Sequence, residues 1–518
     1  MCGGFRKPFG KTFSIGSDWD IRCVMSVSAK RGNCSRIPLI GGLIAAVGSY
    51  NLMRIKKLVA GGVTISVLAF SLAVAGVPAD AQSLHDALAA AYTNNPELLA
   101  QRAEQRAVDE GVPQALANWR PNVTLSGDVA RTHTHLNTRT TTNRDQIRSP
   151  RSADLVITQP LFRGLRTVAG VAEAENDVLS QRAKVIAKEQ DVLLSAASAY
   201  VGVVRDQAVL NLKINNEQVL RRQLEAAQDR FRVGEITRTD VSQAEARLAG
   251  ATADRIAAEG DLDTARAEFQ NVIGEAPQNL TQPAAPTDLP ASLEAAVAAA
   301  RTQHPDVVSA DFDVRSANDN IKSVRGELLP TLNVIGTLSR AWESSANDSQ
   351  LTTGSVKLDL SVPIYQKGSV YSRLREAKID AGKSRLTLDG ARRDQIQAAS
   401  DAWETLAAAK ARIQSFNAQI KAAEIALEGV QREATVGSRT VLDVLDAEQE
   451  LLDAKVSLVR AQRDQVVAAF ELKESAGLLT ARQLQLPVTI HDPTAYYKRV
   501  RMKLFGGETH GATTPDGK

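Results

Sequence analysis

The chain has 518 residues, of which 43% are hydrophobic, 23% charged and only 4% aromatic. That balance excludes wholesale disorder, and the shortage of aromatics points to long helices and away from a large sandwich or propeller. With 62 Lys and Arg against 59 Asp and Glu the net charge is +3, too small for a dedicated nucleic-acid binder. The three cysteines, Cys2, Cys23 and Cys34, all precede Ser35. The chain beyond them has neither a disulfide framework nor a thiolate metal site.

A secretory signal lies inside the chain. Met53-Arg54-Ile55-Lys56-Lys57 is a basic start, Leu58 to Gly76 is apolar, and Ala79-Asp80-Ala81 offers the small residues that signal peptidase reads. The alternative is an uncleaved anchor, since the apolar stretch approaches the ~20 residues that span a bilayer. On the first reading residues 1–52 are an upstream extension outside the fold, 53–81 a signal peptide, and the mature chain begins at Gln82 with 52 basic and 56 acidic residues. No second apolar run of ~20 residues occurs beyond it, so if this protein crosses a membrane it does so by strands.

The rest is an internal duplication. Ser83-Leu84 with Asn95-Pro96 matches Ser292-Leu293 with His304-Pro305 at an offset of 209. Pro160, Val233-Gly234, Asp240-Val241 and Gly274 match Pro363, Val436-Gly437, Asp443-Val444 and Gly477 at 203. The six-residue change falls between the Pro121 and Pro160 landmarks, in a joining loop. The organisation is a first repeat over 82–274, a linker over 275–291, a second repeat over 292–478 and a C-terminal tail over 479–518.

Each half reads alike. A short helix (Ser83–Thr93; Ser292–Thr302) precedes one opened by proline (Pro96–Asn118; Pro305–Glu327). Period-two alternation predicts strands over about 121–133 and 152–160, then about 330–343 and 355–363. Polar loops, His135–Arg151 and Ser344–Gly354, join them. Helices then run over about Leu165–Phe231 and Val370–Ala434; at 1.5 Å per residue such a helix spans about 100 Å, more than a compact domain can hold. Beyond the turns at Gly234 and Gly437, helices over Thr239–Ile273 and Thr440–Leu478 carry seams of Val241, Ala244, Leu248, Ala251 and of Val444, Ala447, Leu451, Ala454. The steps of three and four are those of a coiled coil. A soluble coiled coil would need no strands, and four amphipathic strands cannot close a barrel, so several chains would share one.

Two turn motifs, Phe231-Arg232-Val233-Gly234-Glu235-Ile236-Thr237-Arg238-Thr239-Asp240-Val241 and Val436-Gly437-Ser438-Arg439-Thr440-Val441-Leu442-Asp443-Val444-Leu445-Asp446-Ala447, sit at matching places in this duplicated chain. Together with the strand–strand–long helix–turn–helix order they resemble the TolC family of outer-membrane channel proteins over essentially the whole mature chain. The resemblance implies an α+β membrane protein: a homotrimer sharing a twelve-stranded outer-membrane β-barrel continuous with a long α-helical coiled-coil tunnel across the periplasm. It also implies partners. A periplasmic adaptor (membrane fusion) protein docks at the turns Val233-Gly234 and Val436-Gly437, and an inner-membrane ABC transporter or, alternatively, an RND pump works behind it. Outer-membrane lipid surrounds the barrel, and no nucleic acid is involved.

The resemblance further implies a gate at the periplasmic end. Arg439 would hold it closed against Thr239 and Asp240, and Asp443 and Asp446 would form acidic rings selecting cations. The family's tyrosine five residues before that arginine is here Ala434, so closure would rest more on Arg439. The residues alone leave another reading open. Thr237-x-x-Asp240 and Thr440-x-x-Asp443 both fit helix capping boxes, although capping does not explain Asp446. Trp119, Phe162 and Tyr365 at the helix-proximal strand ends, and Trp342 at the opposite end, fit an interfacial aromatic girdle or ordinary junction packing.

Enzyme signatures are missing: there is no Walker loop, no Gly-x-Ser-x-Gly and no cysteine nucleophile, so no enzyme activity and no cofactor is expected. His133-x-His135 has a spacing that binds metal but no third ligand nearby, so no metal site is expected. Arg499-Val500-Arg501-Met502-Lys503 reads as a solvated basic tail. The expected function is the exit duct of a tripartite export system, with a non-pore periplasmic coiled-coil scaffold as the alternative of another class. Gln82 rather than a lipidated cysteine comes directly after the cleavage site, and the tail Ile490–Tyr497 ending Lys503-Leu504-Phe505-Gly506 resembles that of type I secretion channels. Type I protein secretion is therefore favoured over multidrug efflux.

Overall fold

The computed structural model describes residues 82–138 and 141–509. The signal segment with Ala79 and Ala81, and the upstream extension, lie outside the described residues.

The chain opens with α1 (Leu84–Asn94), whose N-terminus is closed by a capping box between Ser83 and Asp86. In α2 (Pro96–Asp109) the Asn95 carboxamide accepts from the amides of Glu97 and Leu98 at 2.9 and 3.3 Å. The helix expected to run unbroken from Pro96 to Asn118 stops at Asp109 and resumes as α3 (Gly111–Ala117). Pro113 is the reason: it has no N–H for the carbonyl of Asp109 and its ring crowds that carbonyl.

Strands β1 (Asn122–Val129), β4 (Arg151–Arg163), β5 (Thr331–Trp342) and β6 (Gln350–Ser361) form one antiparallel sheet in the order β1-β4-β5-β6. Two sequence expectations need correcting here. The strand read as 121–133 ends at Val129, and the stretch 135–151 read as a loop is largely a separate hairpin, β2 (Thr132–Thr138) paired with β3 (Thr141–Arg148). β6 also begins at Gln350, five residues before the strand read from 355.

The register gathers the apolar residues onto one face. Val123 lies opposite Ile157, which lies opposite Gly336, which lies opposite Val356; Leu125, Leu155, Leu338 and Gly354 form the next row. This face has no cover among the described residues: Leu125 is 77% exposed and Val356 81%. The other face carries Thr124, Ser126 and Asp154. A bulge between Pro160 and Phe162 changes the parity of β4 near its end. Proline cannot donate to the ladder, so the strand slips one residue there, and Phe162 comes opposite Leu332 on the apolar face.

At the end of β4 the chain enters α4 (Arg166–Arg232), and at the end of β6 it enters α8 (Ser369–Thr435), each 67 residues long. Both strand-to-helix junctions use two consecutive left-handed residues, Gly164-Leu165 and Lys367-Gly368. The returning helices are α5 (Arg238–Ile273) and α9 (Val441–Ser475). Ala244, Ala251, Ala258, Leu262, Ala265 and Phe269 bury the α5 seam against α4. In α9 the buried set also takes in Leu445, Leu452 and Val456. Between the repeats, α6 (Leu293–Gln303) packs on α8, and α7 (Pro305–Gly326) lies between α4 and α8.

The largest core joins α1, α4, α5, α9 and the residues after α9. Its centre is Tyr200, fully buried beside Phe269; the Tyr200 hydroxyl donates to the carbonyls of Gln82 and Thr281 at 2.8 and 2.9 Å. A short α10 (Ala495–Val500) then packs on α2.

Candidate functional site

The residues singled out by the two turn motifs meet at the end of the helices remote from the sheet. Both turns are built the same way. Gly234 (φ +81°) and Gly437 (φ +77°) are left-handed, and the amides of Glu235 and Ser438 return to the carbonyls of Arg230 and Glu433 at 2.9 and 3.0 Å. That six-to-one bond closes a Schellman turn, whose left-handed residue glycine alone adopts without strain. A Cβ at either glycine would meet nothing within 4 Å. Val233 and Val436 stand outside, 79% and 78% exposed, as apolar points at the two tips.

Beyond each glycine a capping box starts the returning helix. Asp240 accepts from the amide and hydroxyl of Thr237 at 2.9 and 2.8 Å, and Asp443 accepts from Thr440 at the same distances. Hydrogen bonds from the Thr440 amide and hydroxyl, with the nearby Arg439 charge, hold the Asp443 carboxyl below its ordinary range. Both aspartates therefore cap helices, whatever else they do.

Arg439 does not reach Thr239 or Asp240 within one chain. Its Nε donates to Glu433 Oε2 at 2.9 Å across its own turn, and Glu433 raises the guanidinium pKa further. The first turn has a comparable staple, one residue shorter and with the charges exchanged, Arg230 to Glu235 at 3.1 Å. Asp446 is held by Arg247 of α5, the ion pair that fastens the first repeat to the second near the tips. Sequence reading missed Glu433 and Arg247. Glu433 lies six residues before Arg439, a pairing that only the left-handed turn creates, and Arg247 meets Asp446 only once α5 and α9 are docked.

The aromatics fall at two levels. Trp119 and Phe162 sit at the helix-proximal sheet edge, where the Trp119 carbonyl accepts from the Gln159 amide at 2.9 Å, and Tyr365 comes after β6 and is largely exposed. Trp342 ends β5 at the far edge under the Arg340 guanidinium, 5.3 Å from its ring centre. His135 pairs with Asp145 across the β2–β3 hairpin.

An open four-stranded sheet with a bare apolar face, carried on helices about 100 Å long that return through capped tips, is one share of a membrane channel with a helical tunnel. The sequence profile described as "Outer membrane efflux protein" matches residues 87–275 and 296–478, and the chain belongs to that family. It is 36% identical over 464 residues to the outer membrane efflux protein BepC of Brucella suis biovar 1 (strain 1330), covering 89% of this chain and 98% of that protein. It is 27% identical over 367 residues to the alkaline protease secretion protein AprF of Pseudomonas aeruginosa, covering 67% and 74%. The structure of the Campylobacter jejuni CmeC outer membrane channel superposes with a TM-score of 0.71 over 81% of this chain and 89% of that one, at 14% identity, and so has the same fold. The fold class is that of the trimeric channels, in which a shared barrel stands on a helical tunnel. The protein is thus an outer-membrane exit channel of tripartite export systems, with its sheet in the membrane and its long helices in the periplasm. The scaffold alternative falls, because a scaffold needs no lipid-facing sheet.

Proposed function

We propose that this channel is the homotrimeric outer-membrane duct of a type I protein secretion system, coupled through a periplasmic adaptor to an inner-membrane ABC transporter. The trimer is supported by the duplication. β4 of the first repeat pairs with β5 of the second, which leaves β1 and β6 as edges, and the same contact repeated between copies joins β6 of one to β1 of the next. The tips are the adaptor-docking points, since Val233 and Val436 stand out there as strongly exposed apolar residues. Arg439, Asp443, Asp446, Thr239 and Asp240 form the gate and the cation-selecting ring once three copies bring their tips together. In that ring Arg439 would exchange Glu433 for Thr239 and Asp240 of a neighbouring hairpin.

The observation that carries the secretion assignment is the tail from Ile490 to Phe505, which resembles that of type I channels and is docked here on α1 and α2; similarity to the protease secretion protein AprF supports it. The second reading, multidrug efflux, has its own support in the higher identity to a protein named for efflux, BepC. Deletion of the gene separates them. Loss of one or more proteins from the culture medium, restored by the intact gene with antibiotic susceptibility unchanged, is the expected result. Raised susceptibility with an unchanged set of secreted proteins would overturn the secretion assignment in favour of efflux.

A further inference from the structure

The basic run near the C-terminus, read from sequence as a solvated tail, is pinned in the structure. Gln105 of α2 donates to the Pro493 carbonyl at 2.8 Å. Tyr496 donates to Glu110 at 2.7 Å and Arg501 to Glu175 at 2.8 Å, while Arg182 lies over the Tyr497 ring at 5.1 Å. Val500 is buried beneath them. Glu175 stands nine residues into α4, about 14 Å from its start. The segment climbs from there to the sheet: Arg120, two residues before β1, donates to the Lys503 carbonyl at 3.0 Å.

The part of the segment that reaches that level is amphipathic. Met502, Leu504 and Phe505 point outward, Phe505 being 90% exposed. Between residues 495 and 509 stand four cations, Lys498, Arg499, Arg501 and Lys503, against one carboxylate, Glu508. A docked segment gains nothing by displaying three large apolar side chains to water, but gains by displaying them at the edge of a bilayer. Trp119, exposed beside Arg120, marks the same level.

We propose that Ala495–Phe505 is a lipid clamp. Met502, Leu504 and Phe505 enter the acyl boundary of the periplasm-facing leaflet of the outer membrane, and Lys498 and Arg499 hold the phosphates of anionic phospholipids there. The inference rests on the outer-membrane position of the sheet and is independent of the cargo. The clamp braces α2 and α4 against the membrane plane just below the barrel, so that forces applied at the distant tips act on a fixed collar.

The test labels Phe505→Cys, with Cys2, Cys23 and Cys34 changed to Ser, using an environment-sensitive fluorophore on the assembled protein. Nanodiscs of phosphatidylcholine with phosphatidylglycerol are compared with phosphatidylcholine alone and with lipid-free amphipol. The expected result is a blue shift, strong quenching by lipid-borne nitroxide and severalfold weaker quenching by aqueous iodide in the phosphatidylglycerol discs. That protection should fall in Lys498→Gln with Arg499→Gln, and in high salt, which screens the headgroup attraction. Iodide quenching that is equally strong in discs and amphipol would return the segment to a solvated tail. Shielding from iodide in every preparation with no quenching by lipid-borne nitroxide would mean that protein covers Phe505, and protection indifferent to phosphatidylglycerol would remove the headgroup assignment.

Discussion

Gly164 and Gly326 touch backbone to backbone where β4 turns into α4: a Cβ on Gly164 would lie 2.2 Å from the Gly326 carbonyl oxygen, and one on Gly326 would lie 2.3 Å from that of Gly164. The pair joins the end of α7 to the neck between sheet and helices. In the second repeat Lys367 stands at the place of Gly164, and a Cβ on the neighbouring left-handed Gly368 would meet nothing within 4 Å among the described residues. Gly326→Ala must push this backbone apart, and overpacking of this kind costs about 1–3 kcal/mol. Gly164→Ala adds the left-handed penalty at φ +63°. Thermal unfolding should begin earlier in both, more so in Gly164→Ala, while Gly368→Ala should lose only the backbone term. Equal melting of the Gly326 variant and the parent would show that the neck is slack.

At the tips strain and docking can be separated. Replacing Gly234 or Gly437 by Val forces a β-branched residue to positive φ at a cost of about 1–2 kcal/mol, with no clash because the space is open. Val233→Asp and Val436→Asp strain nothing, since both side chains are already in water. All four variants should assemble at normal levels and lose export, and the Asp variants should keep their thermal stability. Export that persists in the Asp variants would place the adaptor elsewhere.

Much of this was legible in the sequence because local rules and fold agree. The duplication, the four long helices, the Thr237 and Thr440 capping boxes, Pro96 and Pro305 at helix starts, and the turn glycines each rest on short-range chemistry. The β2–β3 hairpin escaped because its Thr, Asn and Arg residues lack the apolar alternation that marked β1. The break at Glu110 was written in Pro113 but hidden by helix-forming neighbours. The partners of Arg439 and Asp446 could not be read at all. They depend on turn geometry and on helix docking across some two hundred residues of chain, as Arg247 and Asp446 do.

The tail latch should respond to pH. Asp109 is fully buried, and burial pushes its carboxyl up to about 6 against the opposing pull of Arg182 and the Gln105 amide. A folded-state value above the unfolded 3.8 means that the folded protein holds the proton more tightly. Stability from this group is therefore fully present below about pH 4 and is lost as pH rises through about 6. His491, facing the same cluster with Arg102 and Arg106, is lowered by burial and acts in the opposite sense, losing stability as pH falls below its ordinary range. Asp109→Asn should flatten the fall in melting temperature between pH 4 and 7 and leave the His491 contribution intact. A parent protein equally stable across that interval, with the variant indistinguishable from it, would refute the assignment.

The proposed gate depends on which contacts must break when the hairpins part. Asp240 and Asp443 each serve their own helix, so removing either loosens a cap as well as the gate contact or ring proposed for it. Arg247 and Asp446 differ, because their ion pair ties α5 to α9 and lies across the path of any separation of the two hairpins. Both side chains are about half exposed, so each pair contributes only about 0.2–1 kcal/mol. Three copies opening together would contribute about 0.6–3 kcal/mol, enough to change a closed-to-open ratio from a few-fold to about a hundredfold. Arg247→Ala should therefore raise single-channel conductance in planar bilayers and make cells leakier to large antibiotics. The exchange Arg247→Asp with Asp446→Arg should bring both back towards the parent, which simple loss of charge would not do. Arg439→Ser should open the channel as well if its partner in the assembly is Asp240 of a neighbouring hairpin, and should leave conductance unchanged if it serves only Glu433 within its own turn. Asp443→Asn with Asp446→Asn should lower cation preference and weaken block by multivalent cations, because the acidic ring is removed. An Arg247→Ala channel with the parent's conductance and leakiness would show that this pair is packing at the tip and that the closed state is held by other contacts.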